Sequence, residues 1–80
     1  MAWRILSREG EVWHVHPAAE RRANQATWQL MLSFRAHAEN HARAIWASYP
    51  LESSSKSSLF TQAERISDAA LHEVLSRHLA

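Results

Sequence analysis

The chain contains no cysteine, a single glycine and a single lysine among 80 residues. Without cysteine it can form no disulfide, bind no metal through thiolates and use no cysteine nucleophile. One glycine cannot build the glycine-rich loops that hold nucleotide phosphates. These absences exclude several classes of enzyme and are compatible with a reducing cytosol.

Long apolar runs are also missing. Residues 1–4 do not begin the apolar segment of a secretory signal, and no stretch of the sequence approaches the roughly 18 consecutive apolar residues of a membrane helix. We therefore expect a cytoplasmic protein that does not associate with membranes. A chain of 80 residues has room for one domain, 1–80, with one modest core.

The charge is nearly balanced. A formal net charge of +1 gives no general attraction to nucleic acid or to anionic lipid. Eight of the nine basic residues are Arg, which together with the many Ala is typical of a GC-rich bacterial coding sequence. Arg also suits protein interfaces and phosphate contacts better than Lys, because its planar guanidinium presents five donors.

The most regular segment is 27–35, in which large apolar side chains recur at every second residue. Trp28, Leu30, Leu32 and Phe34 would line one face of a strand, since successive side chains of a strand point to opposite sides. The residues between them, Gln29, Ser33 and Arg35, would then face water or a partner. This alternation predicts a strand with one buried face.

Three further segments have strand character. Residues 2–16 resemble a β-hairpin that turns at 8–11, where Gly10 can adopt a positive φ, and Pro17 would end its second strand. Residues 18–26 and 36–41 would be polar connections. Residues 43–49 predict a less regular fourth strand that Pro50 would end.

The last third of the chain predicts a connector followed by a helix. Residues 50–60 include the serine-rich run 53–58, which is typical of a mobile connector. A single helix over 61–79 would begin between a capping box at Thr61 and Glu64 and a second cap candidate at Ser67. Its apolar stripe would be Leu71, Val74, Leu75 and Leu79, with Glu73 and Arg77 paired on the exposed side.

A helical alternative competes for residues 18–47, which contain no Gly or Pro and are rich in good helix formers. A two-helix hairpin would result. The alternation through the largest side chains favours strands, and burial often overrides propensity. We expect an α+β fold, in which a small antiparallel sheet of three or four strands packs against one C-terminal helix.

Histidines supply the only candidate metal ligands with a useful spacing. His14 and His16 would project from the same face of a strand, and a third ligand could come from His37, Glu39 or His41. Nothing in the sequence places these two groups together, and the ligand spacing of structural zinc sites is missing. We predict no metal site, with His14 and His16 as weak candidates.

Signatures of catalysis and of cofactor binding are not found. Ser53 and Lys56 match a Ser-x-x-Lys motif, but a serine-rich connector produces that match by chance, and a serine acyl enzyme needs a much larger scaffold. The carboxylates are scattered, without a pair suited to acid and base roles. We therefore expect no enzyme activity and no cofactor.

Tryptophan and arginine point instead to binding. Trp13 and Trp28 would belong to the core, whereas Trp46 and Trp3 would stay accessible. A sheet covered by one helix on one side would expose Met31, Ile45 and part of Trp46 on its other side. Residues of the types enriched at interface hot spots are Trp46, Arg35, Arg43 and Tyr49.

The predicted function is accordingly that of a small interaction or regulatory module. It would bind a protein partner, or a second copy of itself, through an exposed sheet face and an edge strand. The alternative is a single-stranded nucleic-acid-binding domain that uses Trp and Arg on the sheet. A histidine-based metal-binding domain is a third hypothesis.

Overall fold

A four-stranded antiparallel sheet and two helices make up the structure, a computed structural model that describes residues 3–21, 23–38 and 41–79. The strands are β1 (Arg4–Arg8), β2 (Glu11–Glu20), β3 (Trp28–Ala38) and β4 (His41–Ser53), and they lie in the sheet in chain order. The helices are α1 (Lys56–Ala63) and α2 (Asp68–Leu79). The predicted α+β class is confirmed, and the helical alternative for 18–47 is wrong, because strands fill most of that segment.

The first hairpin closes through a two-residue turn. Arg8 pairs with Glu11, and the intervening Glu9 and Gly10 have φ values of 49° and 80°. Two successive positive φ values are those of a type I′ turn, whose twist matches that of the flanking strands. The only glycine of the chain therefore stands where the sequence predicted it, in the turn at 8–11.

The long strand β3 confirms the alternation seen in the sequence. Leu30, Leu32 and Phe34 are fully buried on one face, and Trp28 is partly buried at the start of the strand. The other face does not meet the expectation at Ser33, which is only 2% exposed although it points away from the core. Its neighbours on the adjacent strands, His16 and Trp46, flank it and shield it from water.

Both prolines lie inside strands rather than at their ends, so the predicted strand ends at Pro17 and Pro50 are wrong. The carbonyl of Val15 accepts a hydrogen bond at 3.1 Å from the N–H of Trp3, so the backbone polar groups of Val15 point towards β1. The nitrogen of Pro17, two residues further along β2, faces the same side, at a position beyond the first residue of β1. No residue of β1 as described lies opposite Pro17, so its missing donor interrupts no ladder bond among the described residues.

Pro50 sits in an irregularity of the edge strand β4. Leu30 pairs with Tyr49 but Gln29 pairs with Glu52, so Pro50 and Leu51 bulge out between the two pairs. A bulge on an edge strand tolerates proline and discourages pairing with other chains. The segments predicted as connections, 18–26 and 36–41, are shortened because β2 continues to Glu20 and β3 and β4 extend towards each other.

The predicted connector and single helix are replaced by two helices. Helix α1 starts within the serine-rich run, because the Ser55 hydroxyl accepts the N–H of Ser58 at 3.2 Å and caps it. Thr61 is therefore not a cap: it lies within α1 and donates its hydroxyl to the carbonyl of Ser57 at 2.9 Å. Ser67 does cap α2 by accepting the N–H of Ala70 at 3.1 Å.

Both helices cover the same face of the sheet, and the core lies between them and it. Leu59 and Ala63 of α1 and Leu71 and Leu75 of α2 are fully buried, which confirms the centre of the predicted apolar stripe. Val74 and Leu79 pack against this core from its margin. The pair of Glu73 and Arg77 forms at 2.6 Å, and neither of these two described helices is long and apolar enough to cross a membrane.

Candidate interaction face

Both described helices pack on the same face of the sheet, and we call the opposite face the open face. Its members are fixed by the strand register, because paired residues share a face and every second residue returns to it. The described members are Ile5 and Ser7 of β1; Val12, His14, His16, Ala18 and Glu20 of β2; Gln29, Met31, Ser33 and Arg35 of β3; Ala44, Trp46, Ser48 and Glu52 of β4.

Large apolar side chains are exposed on the open face. Ile5, Val12 and Trp46 are 60%, 48% and 56% exposed, and they are the large hydrophobic residues that stand out as exposed in the described part of the chain. All three lie on this one face and none on the helices. Scattered single residues of this kind are ordinary, but their collection on one uncovered surface is typical of a binding site.

The centre of the open face is a hollow. Its floor includes Ser33, its rim includes His16, Arg35 and Trp46, and its volume is about 280 Å³. The hollow forms because Ser33 is small and stands between two larger residues on the neighbouring strands. A shallow depression beside a half-exposed Trp can receive an apolar side chain of a partner.

Charge is distributed unevenly along the strands. Arg35 lies beside His14 towards one end, whereas Glu20 and Glu52 flank Gln29 at the other end. A second hollow of about 370 Å³ lies at the acidic end, between these three residues and Met31 and Ser48. The open face therefore has a basic end, an acidic end and a largely uncharged middle.

Of the residues predicted to carry binding, Trp46 and Arg35 are brought together here. Trp46 pairs with Ser33, the residue two positions before Arg35 on β3, and both side chains border the same hollow. Met31 also lies on the open face as expected. Ile45 does not: it pairs with Phe34 and packs against the core, because β4 places it one residue out of phase with Trp46.

Arg43 lies on the opposite, helix-bearing face. Its guanidinium stacks over the ring of Trp13, 5.4 Å from the ring centroid, and pairs with Glu11 at 3.0 Å. The residue between Arg43 and Trp13 in the sheet is Ala36, whose small side chain leaves room for the contact. Arg43 thus covers the largest buried residue of the core.

Tyr49 also belongs to the helix-bearing face. It pairs with Leu30 and packs against the core at the bulge of β4. Its carbonyl accepts a hydrogen bond from the side-chain amide of Gln29, which serves the backbone where the bulge interrupts the ladder. The four predicted binding residues are thus divided between the two faces of the sheet.

The histidines predicted as weak metal candidates share the open face. His14 pairs with Arg35 and His16 pairs with Ser33, so a guanidinium lies next to the first imidazole. Among the described residues no group of three His, Cys, Asp or Glu side chains is close enough to hold a metal ion. The third ligands considered, Glu39 and the side chains of His37 and His41, lie outside the described part.

The remaining tryptophans are in contact with cations. Arg4 lies over the ring of Trp3, 4.5 Å from its centroid. Trp28 has Arg21 at 5.0 Å and Lys56 at 4.5 Å from its ring centroid. Lys56 of the Ser-x-x-Lys match is thus at the Trp28 ring, and Ser53 is the last residue of β4.

Sequence reasoning did not single out Glu20 or Glu52. The signal was present in the alternation of β2 and β4, but it could be followed only by continuing each strand through its proline.

Comparison of the chain with models of protein families, with curated proteins and with solved structures finds no match in any of the three.

Proposed function

We propose that this protein is a small non-enzymatic interaction module that binds a protein partner through the open face. The observation that supports the proposal is that Ile5, Val12 and Trp46, all about half-exposed or more, lie on the sheet face that the two described helices leave uncovered. The face also carries Met31 and Arg35, and Trp, Met and Arg are enriched at protein interfaces. Trp46 beside Arg35 supplies the residue types that dominate hot spots.

Single-stranded nucleic acid is the alternative ligand, because Arg35 and Trp46 lie together on a sheet. The same face carries Glu20 and Glu52, which would repel a phosphate backbone following the strands. A net charge of +1 adds no long-range attraction. A protein partner therefore accounts for more of the face.

The test is affinity capture from lysate of the source organism, before and after nuclease treatment, with three forms of the chain. We expect the wild type to retain a protein at stoichiometric amounts after nuclease treatment, and Trp46→Ser to lose it. Arg65→Ser is the matched control, since Arg65 is an exposed residue on the helix side. Far-ultraviolet circular dichroism verifies that each variant is folded.

Two results would contradict the proposal. Equal retention by Trp46→Ser and the wild type would place binding elsewhere on the molecule. Recovery of nucleic acid, with loss of the retained proteins after nuclease, would favour the alternative; binding of a single-stranded oligonucleotide should then weaken steeply as salt is added.

A further inference from the structure

The two central rows of the open face have opposite size patterns. One row, read across β2, β3 and β4, is His16, Ser33 and Trp46; the next row is Ala18, Met31 and Ser48. At each strand a large residue in one row is followed by a small one in the other, or the reverse. Two surfaces interdigitate when large residues face small ones.

The two outer rows have complementary charge. Arg35 lies between His14 and Ala44 in the row on one side of the centre. Gln29 lies between Glu20 and Glu52 in the row on the other side. Arg35 and Gln29 are both on β3, so the midpoint between the basic and acidic rows lies at Leu32, which is also the midpoint between the two central rows.

We propose that the chain forms a homodimer in which two copies pack their open faces together about a two-fold axis that lies in the interface, runs across the strands and passes β3 at Leu32. The proposal rests on the proposed function and specifies its partner as a second copy of the chain. Such an axis reverses the order of the rows, so each central row meets the other central row of the partner. Each contact then occurs twice.

The register gives the contacts directly. Trp46 lies over the partner's Ser48, and the hollow above Ser33 receives the partner's Met31. Arg35 lies over the partner's Gln29, between the carboxylates of the partner's Glu20 and the partner's Glu52. The hollow is thereby filled, Trp46 is covered, and the basic row faces the acidic row of the partner.

The other two-fold arrangement that keeps the strands of the two sheets aligned has its axis along the strands. It would keep the order of the rows and bring the basic ends of both copies together and the acidic ends of both copies together. Like charges brought together at an interface oppose association. The charge distribution therefore selects the axis across the strands.

The area of the matched rows suits a small, reversible dimer. With about 3.4 Å per residue and about 4.8 Å between strands, residues 29–35 of β3 and their neighbours on β2 and β4 present a flat projection on the order of 350 Å². Standard interfaces bury roughly 800 Å² of accessible surface on each partner, and side chains that interdigitate bury more area than the flat projection. Sheets that pack in this aligned way lie about 10 Å apart.

The experiment is sedimentation velocity on the full chain and on two charge reversals, Arg35→Glu and Glu52→Arg, alone and mixed. Both residues are exposed, so neither change disturbs the core. We expect the wild type to dimerise and each reversal alone to raise the dissociation constant at least about tenfold. Arg35→Glu makes both copies of the contact repulsive, and Glu52→Arg leaves Arg35 between one negative and one positive charge in both copies. An equimolar mixture should dimerise better than either reversal alone, since one contact of the mixed dimer is the wild-type contact and in the other the two changed charges attract each other.

Two apolar variants locate the contact further. Trp46→Ser lies in a central row and should raise the dissociation constant at least about tenfold. Val12→Ser lies beyond the four matched rows and should change it less than about threefold. An axis along the strands would instead bring Val12 into the contact, and it would make Glu52→Arg alone strengthen the dimer, because the acidic ends of the two copies would then lie together.

The outcomes distinguish the homodimer from the binding of another protein through the open face. A wild type that stays monomeric, or a dimer that none of these variants weakens, overturns the homodimer. If the wild type is monomeric but Trp46→Ser still abolishes protein capture, the interaction module stands and its partner is another protein. Failure of the mixture to recover, with both reversals alone disruptive, overturns the orientation.

Discussion

Tryptophan has opposite roles at different positions of this chain. Trp13 is fully buried, and its indole N–H has no hydrogen-bond partner among the described residues, whereas Trp46 is 56% exposed on the open face. An unpaired buried donor costs about 1–3 kcal/mol. The apolar area that Trp13 removes from water must therefore outweigh that cost, and the cover over Trp13 matters for stability.

Arg43 provides part of that cover, so we expect Arg43→Ala to lower stability rather than association. The change removes a partly exposed ion pair with Glu11, worth about 0–1 kcal/mol, and a cation–π contact with Trp13, worth about 0.5–1 kcal/mol. Urea unfolding should show a loss of about 1 kcal/mol in total. Arg43→Met keeps an apolar stem over the ring and should lose less.

A different result would change the role of Arg43. If Arg43→Ala unfolds at the same urea concentration as the wild type but associates more weakly, Arg43 acts in binding, as its residue type suggested from the sequence. Sedimentation of the same variant supplies that second measurement.

At the scale of elements, the helix caps determine where the chain changes direction. We expect Ser67→Ala to destabilise the protein by about 1 kcal/mol, because Ser67 caps α2 by accepting the N–H of Ala70. Thr61→Ala should be close to neutral, since Thr61 lies inside α1 and Ala is the better helix former. Thermal or urea unfolding measures both.

The comparison distinguishes two helices from one. If a single helix began at Thr61, as its spacing to Glu64 suggests, Thr61→Ala would be the costly change and Ser67→Ala the mild one. Ser55→Ala offers an independent control, because Ser55 caps α1 and should cost about as much as Ser67→Ala.

Elements that depend on local pattern were predictable, and those that depend on neighbours were not. The alternation around Leu30, Leu32 and Phe34 is contained in β3 itself and predicted both the strand and its buried face. Whether Pro17 ends a strand depends on what lies opposite its missing N–H, which only the sheet determines. The serines before Leu59 resembled a connector because α1 is short and contains too few apolar residues to show a helical spacing.

The candidate site was likewise predictable only where it depends on local pattern. The exposure of Trp46 could be predicted from the less regular alternation of β4. The outward position of Arg35 could be predicted from the alternation of β3. The acidic end of the open face could not be predicted, because Glu20 and Glu52 join it only when β2 and β4 continue through Pro17 and Pro50. Arg43 and Tyr49 differ in face from Trp46 because they are an odd number of residues from it.

At the scale of the whole molecule, the two faces of the sheet are unequal. Helices α1 and α2 bury one face, and Arg4 and Arg8 of β1 tie that arrangement together through hydrogen bonds to Asp68 at 2.8 Å and to Ser76 at 3.2 Å. The open face keeps its apolar residues in water. An 80-residue domain gains little stability from one modest core, so covering a second face also stabilises the fold.

The most direct measurement is a nuclear magnetic resonance dilution series that follows the indole N–H signals, with Trp46 assigned from Trp46→Phe. Over about a hundredfold dilution, association through the open face predicts that the Trp46 signal shifts as the dimer dissociates, while the signal of buried Trp13 stays in place. A Trp46 signal that does not move at any concentration, or one that stays fixed while the Trp3 or Trp28 signal shifts, would contradict self-association through the open face.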